Sequence, residues 1–297
     1  MSPAPAAATA PDGSMLRELV RDPLRPATVP LVRSLRGTAA ALVPAGRDRG
    51  MLGVLVAVGA LVPVTELFVT KIFTDVVTKE RTGTGLRPVA GELAVFFVLF
   101  LGTRVAHYAQ RLYRVRFFDR VFRTAGRDGS GVRAGWEWAV GLELVTVLSS
   151  ATQLVVVAGF FVWLAPLYGA VNVLLVVVLL EVVSRLFRGQ LAAQAQFVES
   201  RRRRVLVPAY DKLRTRVLSA ETGTLVSSVG VVLLLAALIV MNVEGLVGIS
   251  ATVVLFLGAR LQNGIVASLS GAVMRYARAV ANAELKADDD EDEDEDG

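Results

Sequence analysis

Across 297 residues the chain is 54% hydrophobic with a mean hydropathy of +0.54, too apolar for an ordinary soluble domain and in the range of multi-span membrane proteins. It has no cysteine, which excludes disulfides, thiolate metal sites and cysteine nucleophiles, and its one histidine, His107, removes most histidine-based catalytic or metal sets. The formal net charge of +5 hides an asymmetry. Asp288 to Asp296 are nine consecutive acids, so the rest of the chain sets 32 basic residues against 18 acidic ones, or +14 (27 acids less those nine). The basic residues lie between apolar runs, which points to membrane topology rather than to nucleic acid.

Residues 1–27 are rich in Ala and Pro, without a long apolar run, and read as a disordered leader. Residues 28–46 differ: Val29, Leu31, Val32, Leu35, Ala39, Leu42 and Val43 recur near helical spacing with Arg33 and Arg36 between them. That pattern predicts an amphipathic helix along the inner membrane surface, an elbow before the first span. Residues 47–286 then form the membrane domain, and 287–297 an acidic disordered tail.

A crossing needs about 20 mostly apolar residues. Six segments qualify: 51–73, 91–113, 139–163, 167–187, 224–242 and 246–268. Three connections are short. The other two, 114–138 and 188–223, are long and full of arginine, the second carrying Arg201, Arg202, Arg203 and Arg204 before Pro208. Lys and Arg accumulate on the cytoplasmic side, so both long connections and both termini are expected inside a cytoplasmic membrane. Helical patterning past the second and fourth spans predicts helices that project inward. The four arginines suit a solvated topogenic cluster, contact with anionic lipid head groups, or docking of an acidic partner.

Charged side chains inside spans are costly, by ~2.5–3.5 kcal/mol at mid-depth, and default to functional candidates. Glu66 interrupts the first span near Pro63. Arg104 and His107 lie in the second, with Arg111 beyond. Glu181 is in the fourth, four residues before Arg185. Arg260 and Asn263 interrupt the sixth. One reading is a polar cavity that binds a substrate. The other is a set of interhelical ion pairs that fix packing, such as Arg104 with Glu143 or Glu181. No nucleophile–base set, metal cluster or cofactor motif is visible, so an enzyme is not expected.

The last part of the chain carries the most specific likeness. Glu244-Gly245-Leu246-Val247-Gly248, Phe256-Leu257-Gly258-Ala259-Arg260-Leu261 and Tyr276-Ala277-Arg278-Ala279-Val280-Ala281-Asn282-Ala283-Glu284 look like the sixth span and following helix of an ABC exporter. Thr70 to Asp75 and Val183 to Arg188 agree with the ends of that family's first and fourth spans. With six spans and an elbow helix, residues 31–285 resemble the transmembrane domain of ABC exporters. The resemblance implies a homodimer of twelve helices that moves an amphipathic substrate by alternating access. No Gly-rich loop ending in Gly-Lys-Ser/Thr is present, so the resemblance implies an ATPase supplied by a separate chain. The other reading is an ATPase-free membrane scaffold or regulator built on the same helices.

Overall fold

The computed structural model describes residues 28–43, 46–78, 90–124, 132–203 and 208–295. Seven helices account for nearly all of them: α1 (Thr28–Leu42), α2 (Arg47–Thr78), α3 (Ala90–Thr124), α4 (Val132–Leu164), α5 (Pro166–Arg202), α6 (Ala209–Val243) and α7 (Ile249–Glu295). Six of these, α2 to α7, are long and apolar enough to cross a membrane. The chain is an all-α, multi-pass membrane bundle.

Helix lengths exceed the apolar runs because amphipathic sequence continues the same hydrogen-bonded ladder. Once nucleated, a helix gains one hydrogen bond for each residue it fixes. The expected connection 114–138 is therefore mostly helix, the end of α3 and the start of α4. The connection 188–223 is likewise the end of α5 and the start of α6. Pro208 marks the break and caps α6 with extended backbone, φ −54° and ψ 138°. Gly126, Gly129 and Gly131, whose spacing in the sequence predicts a tight turn between the second and third spans, lie outside the described residues, as does Arg204. At the far end α7 runs on to Glu295, nine residues beyond the expected boundary at 286. The Ala-rich stretch from Ala277 to Ala287 carries the ladder into the acids. Glu and Asp at a helix C-terminus oppose the macrodipole, so little else favours helix there.

Neighbouring helices pack antiparallel with consistent register. Down the α2–α3 pair the contacts run Phe73 with Phe96, Glu66 with His107, and Gly59 with Gln110. Between α6 and α7 they run Ser227 with Asn263 and Gly223 with Ser270. One end of the bundle thus carries α1 and the arginine-rich segments; it is called the basic end below.

α4 and α7 form the spine. Leu144, Leu154, Val157 and Phe161 of α4 and Val254, Leu255, Ala272, Val273 and Ala277 of α7 are fully enclosed. Gly258 lets the two helices meet: a Cβ there would lie 2.5 Å from the Phe161 ring. In lipid, where apolar contact with tails competes, such small-residue approaches supply much of the helix–helix attraction. At the basic end Glu143 of α4 accepts from Arg275 of α7 at 2.6 Å.

α1 docks at the basic end on α4, α5 and α7, as an amphipathic elbow. Leu31, Leu35, Leu42 and Val43 face the core, and Arg33 and Arg36 point away. Thr38 Oγ1 lies 2.6 Å from the enclosed hydroxyl of Tyr276 on α7. The chain turns through Gly46, at φ +103°, a conformation that favours glycine. Arg49 Nε then donates back to the orphan carbonyl of Val43 at 3.2 Å.

Replacing Gly258 with Ala is expected to cost about 1–3 kcal/mol by overpacking against Phe161. Equilibrium unfolding in mixed detergent micelles reads this. Adding Phe161→Leu should recover most of the loss, whereas equal costs with and without it would contradict the contact.

Candidate functional site

One group of polar residues of the membrane region gathers at a seam between α2, α3 and α4, and its origin is Pro63. A proline inside α2 has no N–H, so the carbonyl of Gly59 loses its intrahelical donor. Within hydrocarbon such an orphan must be satisfied by a neighbouring helix. Gln153 of α4 does this, donating from Nε2 to Gly59 O at 2.8 Å. The missing side chain of Gly59 also admits Gln110 of α3, whose Nε2 would lie 2.1 Å from a Cβ at that position. One proline therefore draws an amide from α4 beside α2, and a glycine makes room for a second from α3.

About two turns further from the basic end sits Glu66. Its Oε1 accepts from His107 Nε2 of α3 at 3.3 Å, and the Arg104 Nη1 atom is 4.0 Å away. Glu66 lies ~18 Å along α2 from Thr78 and Arg104 ~21 Å along α3 from Ala90, at ~1.5 Å per residue. Both are therefore near mid-depth of a hydrocarbon layer ~30 Å thick. A cavity of about 250 Å³ opens between the helices here, lined by Glu66, Val69, Thr70, Phe100, Thr103 and Arg104. Thr70 and Thr103 spend their hydroxyls on the carbonyls of Glu66 and Leu99, one turn back. The Arg104 guanidinium lies over the Phe100 ring, 5.2 Å from its centroid, and Phe100 stacks on Phe96.

Of the six residues the sequence nominates for a cavity, three meet here: Glu66, Arg104 and His107. The others do not join them. Glu181 pairs with Arg185 on α5 at 2.9 Å, the expected four-residue pair. Asn263 accepts from Ser227 at the α6–α7 contact. Arg260 stands on an exposed face of α7. The expected pairing of Arg104 with Glu143 or Glu181 is replaced by Glu66, because α3 packs chiefly on α2. Glu143 goes to Arg275 instead, a residue beyond the apolar window of its helix. In the basic cluster Arg203 is exposed; Arg201 and Arg202 end α5.

Sequence reasoning missed Gln153; it places Gln110 beside the polar face of Arg104, His107 and Arg111 on the second span, without its contact to Gly59. A signal for Gln153 existed: Pro63 inside a span implies an unpaired carbonyl four residues earlier. Arg114 was also missed; it reaches Thr146 Oγ1 at 3.0 Å, one step towards the basic end. Asn172 of α5 and Gln262 of α7 are enclosed elsewhere in the bundle, with amide atoms that have no protein partner among the described residues. Among those residues no three His, Asp or Glu side chains converge as a metal site would need.

No family model, curated protein or solved structure matches this chain.

Replacing Gln153 with Leu should cost about 1–3 kcal/mol, because it leaves the Gly59 carbonyl unpaired in an apolar setting. In a Pro63→Ala background the residue-63 N–H returns, and the same substitution should cost well under half as much. Equal costs in the two backgrounds, measured by unfolding in detergent, would show that Gln153 does not serve this carbonyl.

Proposed function

We propose that the chain is the transmembrane, substrate-conducting half of an ABC-exporter-like transporter. It works as a homodimer, moves an amphipathic substrate, and takes its energy from a separate ATPase chain. In this reading the basic end, both termini and the arginine-rich segments are cytoplasmic, as the positive-inside bias requires. The observation that carries the proposal is the Glu66–Arg104–His107 cluster beside an open cavity at mid-depth. A structural ion pair in a membrane core is normally closed off by packing. This one leaves Arg104 with 61% of its side chain exposed and a cavity at its edge. Ionisable groups kept in that condition mark substrate pathways. Helices that run past the membrane at the basic end, α3, α5 and α7, are suited to pass movement to a partner.

A second reading, an ATPase-free scaffold, draws on one observation. The breaks between α3 and α4 and between α5 and α6, at 125–131 and 203–208, are short, and leave little chain for docking an ATPase.

The absence of native cysteine makes the test clean. Thr103→Cys lines the cavity and is now buried. For a transporter in sealed vesicles, a membrane-impermeant thiol reagent should label it from both sides, with the balance shifted by ATP when the ATPase partner copurifies. Labelling from one side only, unchanged by ATP, with no copurifying ATPase, would favour the scaffold.

A further inference from the structure

Resting on the reading of the α2–α3 cavity as a substrate site, we infer that its ligand is an anionic amphiphile, whose phosphate or carboxylate binds Arg104 while its apolar part lies on Phe100 and Val69.

The assignment follows from which polar groups at the cavity remain unused. Thr70 and Thr103 are committed to backbone carbonyls. Glu66 holds His107. Arg104 is different. Its nearest carboxylate oxygen is 4.0 Å away, beyond hydrogen-bond distance, and among the described residues its guanidinium makes no hydrogen bond. Five donors within the membrane thus lack hydrogen-bond acceptors, and the Glu66 carboxylate at 4.0 Å only partly offsets a charge that costs ~2.5–3.5 kcal/mol at mid-depth. Side chains that snorkel escape this cost by reaching the interface. Arg104 lies ~21 Å along α3 from Ala90 in a layer ~30 Å thick, and its guanidinium bends back over Phe100, one turn away from the nearer, basic end. The guanidinium fork matches the paired oxygens of a phosphate or carboxylate.

The surroundings set the rest of the ligand. Phe100 offers its face under the guanidinium, and Phe96 continues the stack along α3. Val69 closes the α2 side. A cavity of about 250 Å³ is smaller than the usual range for a whole drug-sized ligand, so it takes a head group and the first part of a tail. The remainder can leave sideways, because α3 packs mainly on α2 and exposes Phe97, Val98, Leu101 and Val105. A cationic amphiphile would find Glu66 already engaged and Arg104 opposing it. A neutral one would leave the five donors unmet.

The probe is dodecyl phosphate, with dodecanol as its uncharged counterpart, titrated into the full chain in phosphatidylcholine nanodiscs. The phosphate should bind about tenfold or more tightly than the alcohol. Arg104→Gln should abolish that preference and Arg104→Lys should restore part of it. Phe100→Leu, which keeps the charge, should weaken phosphate binding by about threefold, since it removes a cation–π contact. Adding phosphatidylglycerol to the disc distinguishes the source: competition identifies a membrane lipid, and its absence a free amphiphile, both with the inferred chemistry. Equal binding of phosphate and alcohol, or a preference untouched by Arg104→Gln, would overturn the inference. So would a cross-link from position 104 to a second copy that excludes the probe. A chain that binds dodecyl phosphate through Arg104 yet never moves it across a sealed vesicle would end the transport reading and leave this inference standing.

Discussion

In hydrocarbon a polar group must find its partner within the protein, and this requirement organises the α2–α3–α4 side of the bundle. Pro63 removes one backbone donor from α2, and the freed Gly59 carbonyl recruits Gln153 from α4. Gly59 itself has no side chain, and the space admits Gln110 from α3. Glu66, further along the same helix, takes up His107. α2 thereby becomes the element to which α3 is attached, through polar contacts at mid-depth and aromatic contacts between Phe73 and Phe96.

The rest of the bundle is held differently. α4 and α7 meet through small residues and enclosed aliphatic side chains, with Phe161 seated on Gly258. α5 and α6 close against them, and the polar links there are local or paired, as in Glu181 with Arg185 and Ser227 with Asn263. At the end away from the arginines, Asp75 of α2 accepts from both Lys71 and Ser250, the latter at the start of α7. The contrast matters for function. A spine packed by shape resists rearrangement, because packed cores do not deform continuously. α3 is fastened chiefly to α2, with a second attachment to α4 near the basic end through Arg114 and Thr146, and is the most exposed of the six membrane helices. It is the least enclosed membrane helix, and it carries Arg104 and His107.

The six crossings were legible because each is a mostly apolar run of about 20 residues, a signal that needs no knowledge of neighbours. Helix ends were less so: α4 begins at Val132, seven residues before its apolar run, and only the amphipathic pattern hints at it. The elbow helix was readable from Leu31, Leu35 and Leu42 at helical spacing, though not its bond to Tyr276. Of the site, the charged residues stood out but their pairing did not. Arg104 has several acids in other spans to choose from, and the choice of Glu66 depends on which helices are neighbours. Pro63 marks the freed carbonyl, but that Gln153 is its partner was hidden for a related reason. A glutamine in an apolar run does not say which backbone atom it faces, and here that atom is defined by a proline 90 residues earlier.

The most direct test of the account is proximity across the seam in a native membrane. With no cysteine in the chain, Glu66→Cys and His107→Cys can be introduced as a lone pair and treated with a short bifunctional thiol reagent. The account predicts rapid cross-linking within one chain, and none when position 66 is paired with a cysteine at Arg260 on α7. Failure of the first pair to react, or reaction of the second instead, would mean that α2 and α3 do not share the polar seam from which the site is built.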